Sequence, residues 1–447
     1  MRLKKILIVL GTLLFTLLLT GAQMAETSTP VIRIDGKLVE SVPPPQIVQG
    51  RTMVPIRFVI ESEALKGQVY WDQGLRKVAI DVRGQYIEFY IGDVTAKVDG
   101  QSKIFDTAPY IYQDRTYIPL RFLAENLGAV VGWKANTREV VIDFDYQPEV
   151  FAYYYYSPEN ELKSNLHLFT DVAFRWFATN EKGELFYEYK DDYDKKLQMV
   201  QEKGVRAHAS VVLMGKDPLH RLLSSQSSRA LLIGNLLDVV KKNNYDGVNI
   251  DFELMDYRDA NLFTSFLEQL KTSLGPNKTL SVAVFARTGK ENWPTPYQYK
   301  RIGAIADRVV VMAYDYSYST SKAGPVAPLW WVQAVTEYMI DSIPREKILL
   351  GMPTYGYNWS DGSKAVTVTA SKLAEIEKKY EVQKYFDQAS MSPYCIYYDE
   401  NGQRHEIWME NQQSLAAKWN IVVANRLGGM SFWRIGTGFN EIYQVIQ

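Results

Sequence analysis

Apolar positions between residue 150 and the C-terminus fall into short runs separated by longer amphipathic stretches. Eight runs read as strands: Phe151–Tyr155, Val172–Phe177, Ala207–Leu213, Val248–Phe252, Leu280–Phe285, Val309–Met312, Ile348–Met352 and Gly429–Trp433. Most are unbroken, the pattern of strands covered on both faces. Between them apolar residues recur at helical spacing. Leu231, Leu232, Leu236, Val239 and Val240 make one stripe; Leu262, Phe263, Phe266, Leu267 and Leu270 make another. Eight strands alternating with helices predict an α/β fold, a (β/α)8 TIM barrel over residues 149–447. The segment between the seventh and eighth strands is long. Within it, Tyr394–Tyr398, a turn at Asp399-Glu400-Asn401-Gly402 and His405–Met409 read as a hairpin. This predicts a small α+β insertion beside the barrel mouth.

Upstream, over residues 30–146, the pattern repeats itself. Arg51-Thr52-Met53-Val54-Pro55-Ile56-Arg57-Phe58 returns as Arg115-Thr116-Tyr117-Ile118-Pro119-Leu120-Arg121-Phe122. Each copy continues to a Trp (Trp71, Trp133) and a β-branched run (Lys77–Val82, Glu139–Phe144). Each unit reads as a strand, a short helix opened by proline, then a strand pair. Ile32–Val39 reads as a hairpin turning at Asp35-Gly36, and Val98-Asp99-Gly100 echoes it. A small repeated α+β domain therefore precedes the barrel.

Arg2, Lys4 and Lys5 lead into an apolar run from Ile6 to Leu19, and Thr20-Gly21-Ala22 follows. Basic start, short apolar middle and small-residue exit predict a signal peptide, residues 1–25, and a chain secreted to the cell envelope. Formal net charge is -1, which argues against nucleic acid as a partner. One cysteine, Cys395, excludes a disulfide framework, and the four histidines lack metal-site spacing, so neither metal nor cofactor is expected. Tyrosine (30) and tryptophan (10) are abundant, which suits a protein that stacks sugar rings.

The fourth strand carries the chemistry. In Asp246-Gly247-Val248-Asn249-Ile250-Asp251-Phe252-Glu253, alternation aims Asn249, Asp251 and Glu253 into the barrel. Val248, Ile250 and Phe252 then face the helices. Catalytic groups of such barrels sit at the C-terminal ends of the strands, where Asp251 and Glu253 fall. A polar ladder ending in two carboxylates is costly to bury unless it is used or well paired.

These residues resemble glycoside hydrolase family 18. The family's DGxDxDxE signature matches 246–253 except at Asn249, where the family has Asp. Met312-Ala313-Tyr314-Asp315, Gly351-Met352-Pro353-Thr354-Tyr355-Gly356 and Trp433 match its sixth-, seventh- and eighth-strand landmarks. The resemblance implies substrate-assisted, retaining hydrolysis of a polysaccharide containing N-acetylglucosamine. Glu253 would be the acid, Asp251 would orient the sugar's acetamido group and Tyr314 would bond its oxygen. Asp246, Asn249, Met312, Asp315, Tyr355 and Trp433 would line the substrate site. Asn249 can only hydrogen-bond, so Asp251 is expected to ionise more readily than in the family pattern. The third strand, Ala207–Leu213, lacks the Ser-x-Gly-Gly of many chitinases. It is similar instead to the spore-germination and cortex-lytic N-acetylglucosaminidase branch. Peptidoglycan of the cell wall, that of the spore cortex included, is then the expected substrate. A chitinase and a non-catalytic carbohydrate-binding barrel are the alternatives. Residues 30–146 resemble the copper amine oxidase N-terminal-like (stalk) domain, with no copper implied.

Overall fold

The computed structural model describes residues 29–155, 158–187, 193–360 and 364–446. The expected signal peptide lies outside the described residues.

Eight parallel strands close into a barrel. In chain order they are Glu149–Tyr154, Asp171–Thr179, Arg206–Met214, Gly247–Glu253, Thr279–Phe285, Arg308–Met312, Ile348–Pro353 and Gly429–Trp433. The first pairs in parallel with both the second and the eighth, so no edge is left open. All eight fall where the apolar runs predict them. Outward residues such as Phe174, Val211, Ile250, Phe252 and Val311 join the helices in one large core. Inward residues Phe151, Tyr153, Ala173, Ala283, Val310, Met312 and Leu349 form a separate apolar plug. Phe252 stacks on Phe266 of helix Ala260–Leu274, with ring centroids 5.7 Å apart. One helical stripe differs from expectation. Helix Gln226–Asn243 buries Leu232, Ile233, Leu236 and Val240 and leaves Leu231 47% exposed. Its buried face is centred one residue later than the apolar pattern suggests.

The insertion is larger than a hairpin. Strands Tyr355–Ser360, Val366–Thr369, Gln383–Asp387, Ser392–Tyr398 and Arg404–Trp408 form one antiparallel sheet, backed by helix Ala370–Lys379. It begins immediately after the seventh barrel strand, so its first strand stands at the mouth. Cys395 is buried there, and burial pushes its thiol up to about 11.

The repeat domain shows the predicted units, with helices Ile56–Ile60 and Leu120–Asn126 each opened by its proline. The two copies interlock. Arg51–Pro55 pairs antiparallel with Arg115–Pro119, and strand Val31–Ile34 crosses to pair in parallel with Glu139–Asp143. One core serves both copies. The domain docks on helix Gln412–Asn425. Gly132 lies against that helix so closely that a Cβ would sit 2.8 Å from the Ala424 amide nitrogen. Arg426 forms an ion pair with Asp143 at 2.6 Å.

Candidate active site

The barrel interior is layered from its N-terminal end to its mouth. At the bottom, Glu149, Asp171, Arg206 and Arg308, first residues of their strands, make an ionic cluster. Arg206 bonds both oxygens of Asp171, each at 2.7 Å, and His208 Nε2 meets Asp171 Oδ1 at 2.7 Å. Burial opposes ionisation of Asp171, but bonds from His208 and Arg206 outweigh it and hold its carboxyl far below the usual range.

Asp246 belongs to this lower end. Its carboxylate accepts the Ala207 amide at 2.8 Å and ties the fourth strand to the third. At ~3.3 Å per residue it starts about 20 Å below Glu253. Asp246 therefore holds strands together and does not line the sugar site. Gly247 next to it is required by packing, since a Cβ there would lie 2.7 Å from His208 Nδ1.

The middle layer is a neutral relay. Ser210 donates to Asn249 Oδ1 at 2.9 Å, and Asn249 Nδ2 donates to Ser281 Oγ at 2.9 Å. All three side chains are buried. Asn249 is thus held below the mouth by strands three and five.

Above it, the Asp251 and Glu253 side chains face each other as a hydrogen-bonded carboxyl pair. Burial raises Asp251 to about 6. Burial, then the charge of Asp251, raises Glu253 to about 8. Both carboxyls are thus raised above the usual range, Glu253 the more strongly, and they titrate as a pair. Asp251 Oδ1 is buried with no hydrogen-bond partner among the described residues. An unmet carboxylate oxygen at this depth is suited to a donor from a bound ligand.

Tyr314 and Asp315 follow the sixth strand. The buried Tyr314 hydroxyl is pushed well up, first by burial and then by Asp251. Gly351 leaves room for it: a Cβ there would lie 3.3 Å from Tyr314 Cε1. Asp315 adopts φ 59°, a strained conformation for a residue with a side chain. Its Oδ1 accepts from Tyr355 at 2.6 Å and Tyr357 at 3.2 Å. Burial raises Asp315 despite these bonds. Trp433 closes the far side, edge-on to Tyr153 at 5.4 Å and stacked beyond Tyr155 at 6.3 Å. Met312 lies in the plug beneath. The structure thus gathers Asp251, Glu253, Tyr314, Asp315, Tyr355 and Trp433 at one mouth, above Met312. Among other aromatics, Trp293 (62%) and Trp330 (48%) are exposed, whereas Trp359 is buried in the insertion.

Two site residues escape the sequence reading. Tyr357 shares Asp315 with Tyr355, and strand alternation in the insertion puts both on one face. Arg175 on the second strand acts on both carboxylates. A charge inside a run predicted as a buried strand was its signal.

Known proteins bear on this site. The chain belongs to glycosyl hydrolases family 18, which matches residues 150–438. Residues 33–142 match the copper amine oxidase N-terminal domain. Among the described residues no three His, Cys, Asp or Glu side chains cluster as metal ligands would. The cortical fragment-lytic enzyme of Bacillus anthracis is 30% identical over 222 residues, 48% of this chain and 52% of that protein. The chain thus spans about half the length of this curated relative. The spore cortex-lytic enzyme SleL of Bacillus cereus shares the fold, with TM-score 0.63 and 24% identity over 67% of this chain and 73% of that one. A chitinase from Chromobacterium violaceum has TM-score 0.63 and 26% identity, over 67% of this chain and 98% of that one.

Proposed function

We propose that the chain is a secreted, retaining β-N-acetylglucosaminidase that cleaves peptidoglycan, including spore-cortex fragments, by substrate-assisted catalysis. The observation that carries this reading is the pairing of Asp251 and Glu253 at the C-terminal end of the fourth strand, with Tyr314 and Asp315 after the sixth strand beside them. Glu253 protonates the glycosidic oxygen. The substrate's acetamido oxygen attacks the anomeric carbon and forms a cyclic oxazolinium. Asp251 accepts the acetamido N–H on Oδ1 and stabilises the positive charge, while Tyr314 bonds the acetamido oxygen. Asp315, aimed by Tyr355 and Tyr357, holds the distorted ring, and Trp433 is its floor. Glu253 then takes a proton from water, which opens the oxazolinium with retention. Residues 1–25 direct export, and the repeat domain associates with the cell wall. Similarity to the cortical fragment-lytic enzyme favours peptidoglycan over chitin.

The likeness to the Chromobacterium chitinase supports chitin as a second reading. Mass spectrometry of products from spore cortex, vegetative peptidoglycan and chitin hexamer, beside a Glu253→Gln control, separates the two. New reducing N-acetylglucosamine ends from peptidoglycan, absent in the control, are expected. Cleavage of chitin alone would favour the second reading. Binding without cleavage in all three would make the barrel a lectin.

A further inference from the structure

Arg175 occupies a position that the second strand is reshaped to create. That strand pairs Phe174 with Ala209 and next Phe177 with Val211. Three steps on the second strand match two on the third, which is a β-bulge at Arg175-Trp176. Bulges re-aim side chains, often beside functional sites. Here Phe174, Trp176 and Phe177 all join the outer core, while Ala173 joins the inner plug. Arg175 takes the inward place, level with Ser210 and Val211, whose fourth-strand partners are Asn249 and Ile250. The inward residues of the intervening third strand, Ser210 and Val212, are small, so a long side chain can reach across. The Arg175 guanidinium lies over the Tyr155 ring, 5.0 Å from its centroid.

Apart from the Arg175, Arg434 and His208 side chains, the described residues around Asp251 are neutral or acidic. The first strand brings Tyr153, the fourth Glu253 and the segment after the fifth Tyr297, whose hydroxyl donates to the Phe252 carbonyl at 2.8 Å. The sixth brings Tyr314 and Asp315, the latter bonded to Tyr355 and Tyr357. Arg434, after the eighth strand, lies over Tyr155 at 5.8 Å and bonds the Tyr155 carbonyl. His208 lies a layer below, against Asp171. Asn249, directly beneath, is neutral and engaged by two serines. A carboxylate in such a setting would take up a proton unless a cation faced it.

We propose that Arg175 is a positioning residue, the counter-charge that keeps Asp251 a carboxylate inside the barrel while Glu253 holds its proton. It acts by charge across the intervening third strand, and Asp251 Oδ1, which accepts no hydrogen bond among the described residues, stays open for the substrate. Asn249 removes a proton-sharing group from beneath Asp251, and Arg175 supplies the missing bias by charge. The consequence for turnover rests on the glycosidase reading above; the charge arrangement does not.

The test uses the full chain as wild type, Arg175→Gln and Arg175→Lys. Infrared difference spectra across pH report the protonated carboxyls, with bands assigned through Asp251→Asn and Glu253→Gln. Wild type should show one protonated carboxyl of the pair at pH 7. In Arg175→Gln the Asp251 titration should move up by about one pH unit, and Arg175→Lys should titrate like wild type. The acid limb of kcat/KM should move with it, a loss of about five-fold at pH 6 in Arg175→Gln. An unshifted Asp251 titration in Arg175→Gln overturns the proposal. So does a shifted one in Arg175→Lys, which also carries the test if Arg175→Gln does not fold. Because the spectra need no turnover, an inactive wild type with the expected shift would overturn the glycosidase reading alone.

Discussion

Asn420 pairs with the backbone of Trp133 at both ends of its amide. Its Oδ1 accepts the Trp133 N–H at 2.7 Å, and its Nδ2 donates to the Trp133 carbonyl at 2.8 Å. A helix side chain thus acts as a neighbouring strand for the edge of the repeat domain. With Gly132 pressed on the same helix, the two domains are held as one body. Asn420→Ala leaves two backbone groups unmet and should cost about 1–3 kcal/mol. Calorimetry should then resolve two unfolding transitions where wild type shows one. A single transition at an unchanged temperature would contradict the rigid docking.

Glu253→Gln should abolish most turnover and stabilise the fold. Loss of a general acid reduces rate by about 10²–10⁴-fold. The folded protein raises Glu253 to about 8, above its value in the unfolded chain. The native state therefore binds more protons between the two values, and stability falls as pH rises through that window. Gln removes this burden, a gain on the order of a few kcal/mol at pH 7. Melting curves from pH 5 to 8 should slope downward for wild type and be flatter for the variant.

Activity should follow a bell centred near pH 7. Asp251 must be ionised and Glu253 protonated, and the pair titrates at about 6 and about 8. Rates of kcat/KM on an N-acetylglucosamine oligomer would give both limbs. A rate still rising at pH 9 would mean that the acid is another group.

Tyr355→Phe should harm turnover more than Tyr357→Phe. The Tyr355 bond to Asp315 is 2.6 Å and the Tyr357 bond 3.2 Å. Each removal leaves Asp315, already raised by burial, with less support as an anion. Roughly ten-fold for Tyr355→Phe and two- to three-fold for Tyr357→Phe correspond to losses of ~1.4 and ~0.5 kcal/mol. Parallel kcat and KM measurements with matched melting temperatures check the order.

Asn249→Asp should weaken the protein at neutral pH. An ionised Asp cannot donate to Ser281, and it sets a negative charge beneath Asp251. The expected results are a lower melting temperature and an acid limb moved upward. A variant with the wild-type profile would show that the serine relay tolerates a shared proton there.

Much of this protein could be read along the chain. Strands covered on both faces must be apolar throughout, so the eight barrel strands stand out as runs. Alternation with period two is local, so the inward aim of Asn249, Asp251 and Glu253 needed no partner to be seen. The repeat at Arg51 and Arg115 was equally visible, because each copy carries its own strand and proline-opened helix.

What only the tertiary structure decided are the partners. Asn249 resembles a site residue until Ser210 and Ser281 arrive from strands 39 and 32 positions away. Asp246 sits in the same motif as Glu253, yet the rise of the strand carries the two to opposite ends of the barrel. Arg175 needed a bulge, which resets alternation through a mismatch with a neighbouring strand that one strand's sequence does not record. The pairing of Val31–Ile34 with Glu139–Asp143 and the Asn420–Trp133 bond join residues more than 100 positions apart. Periodicity is a property of one segment and survives in sequence. Hydrogen bonding and charge compensation belong to pairs of segments, and they exist only once the chain has closed.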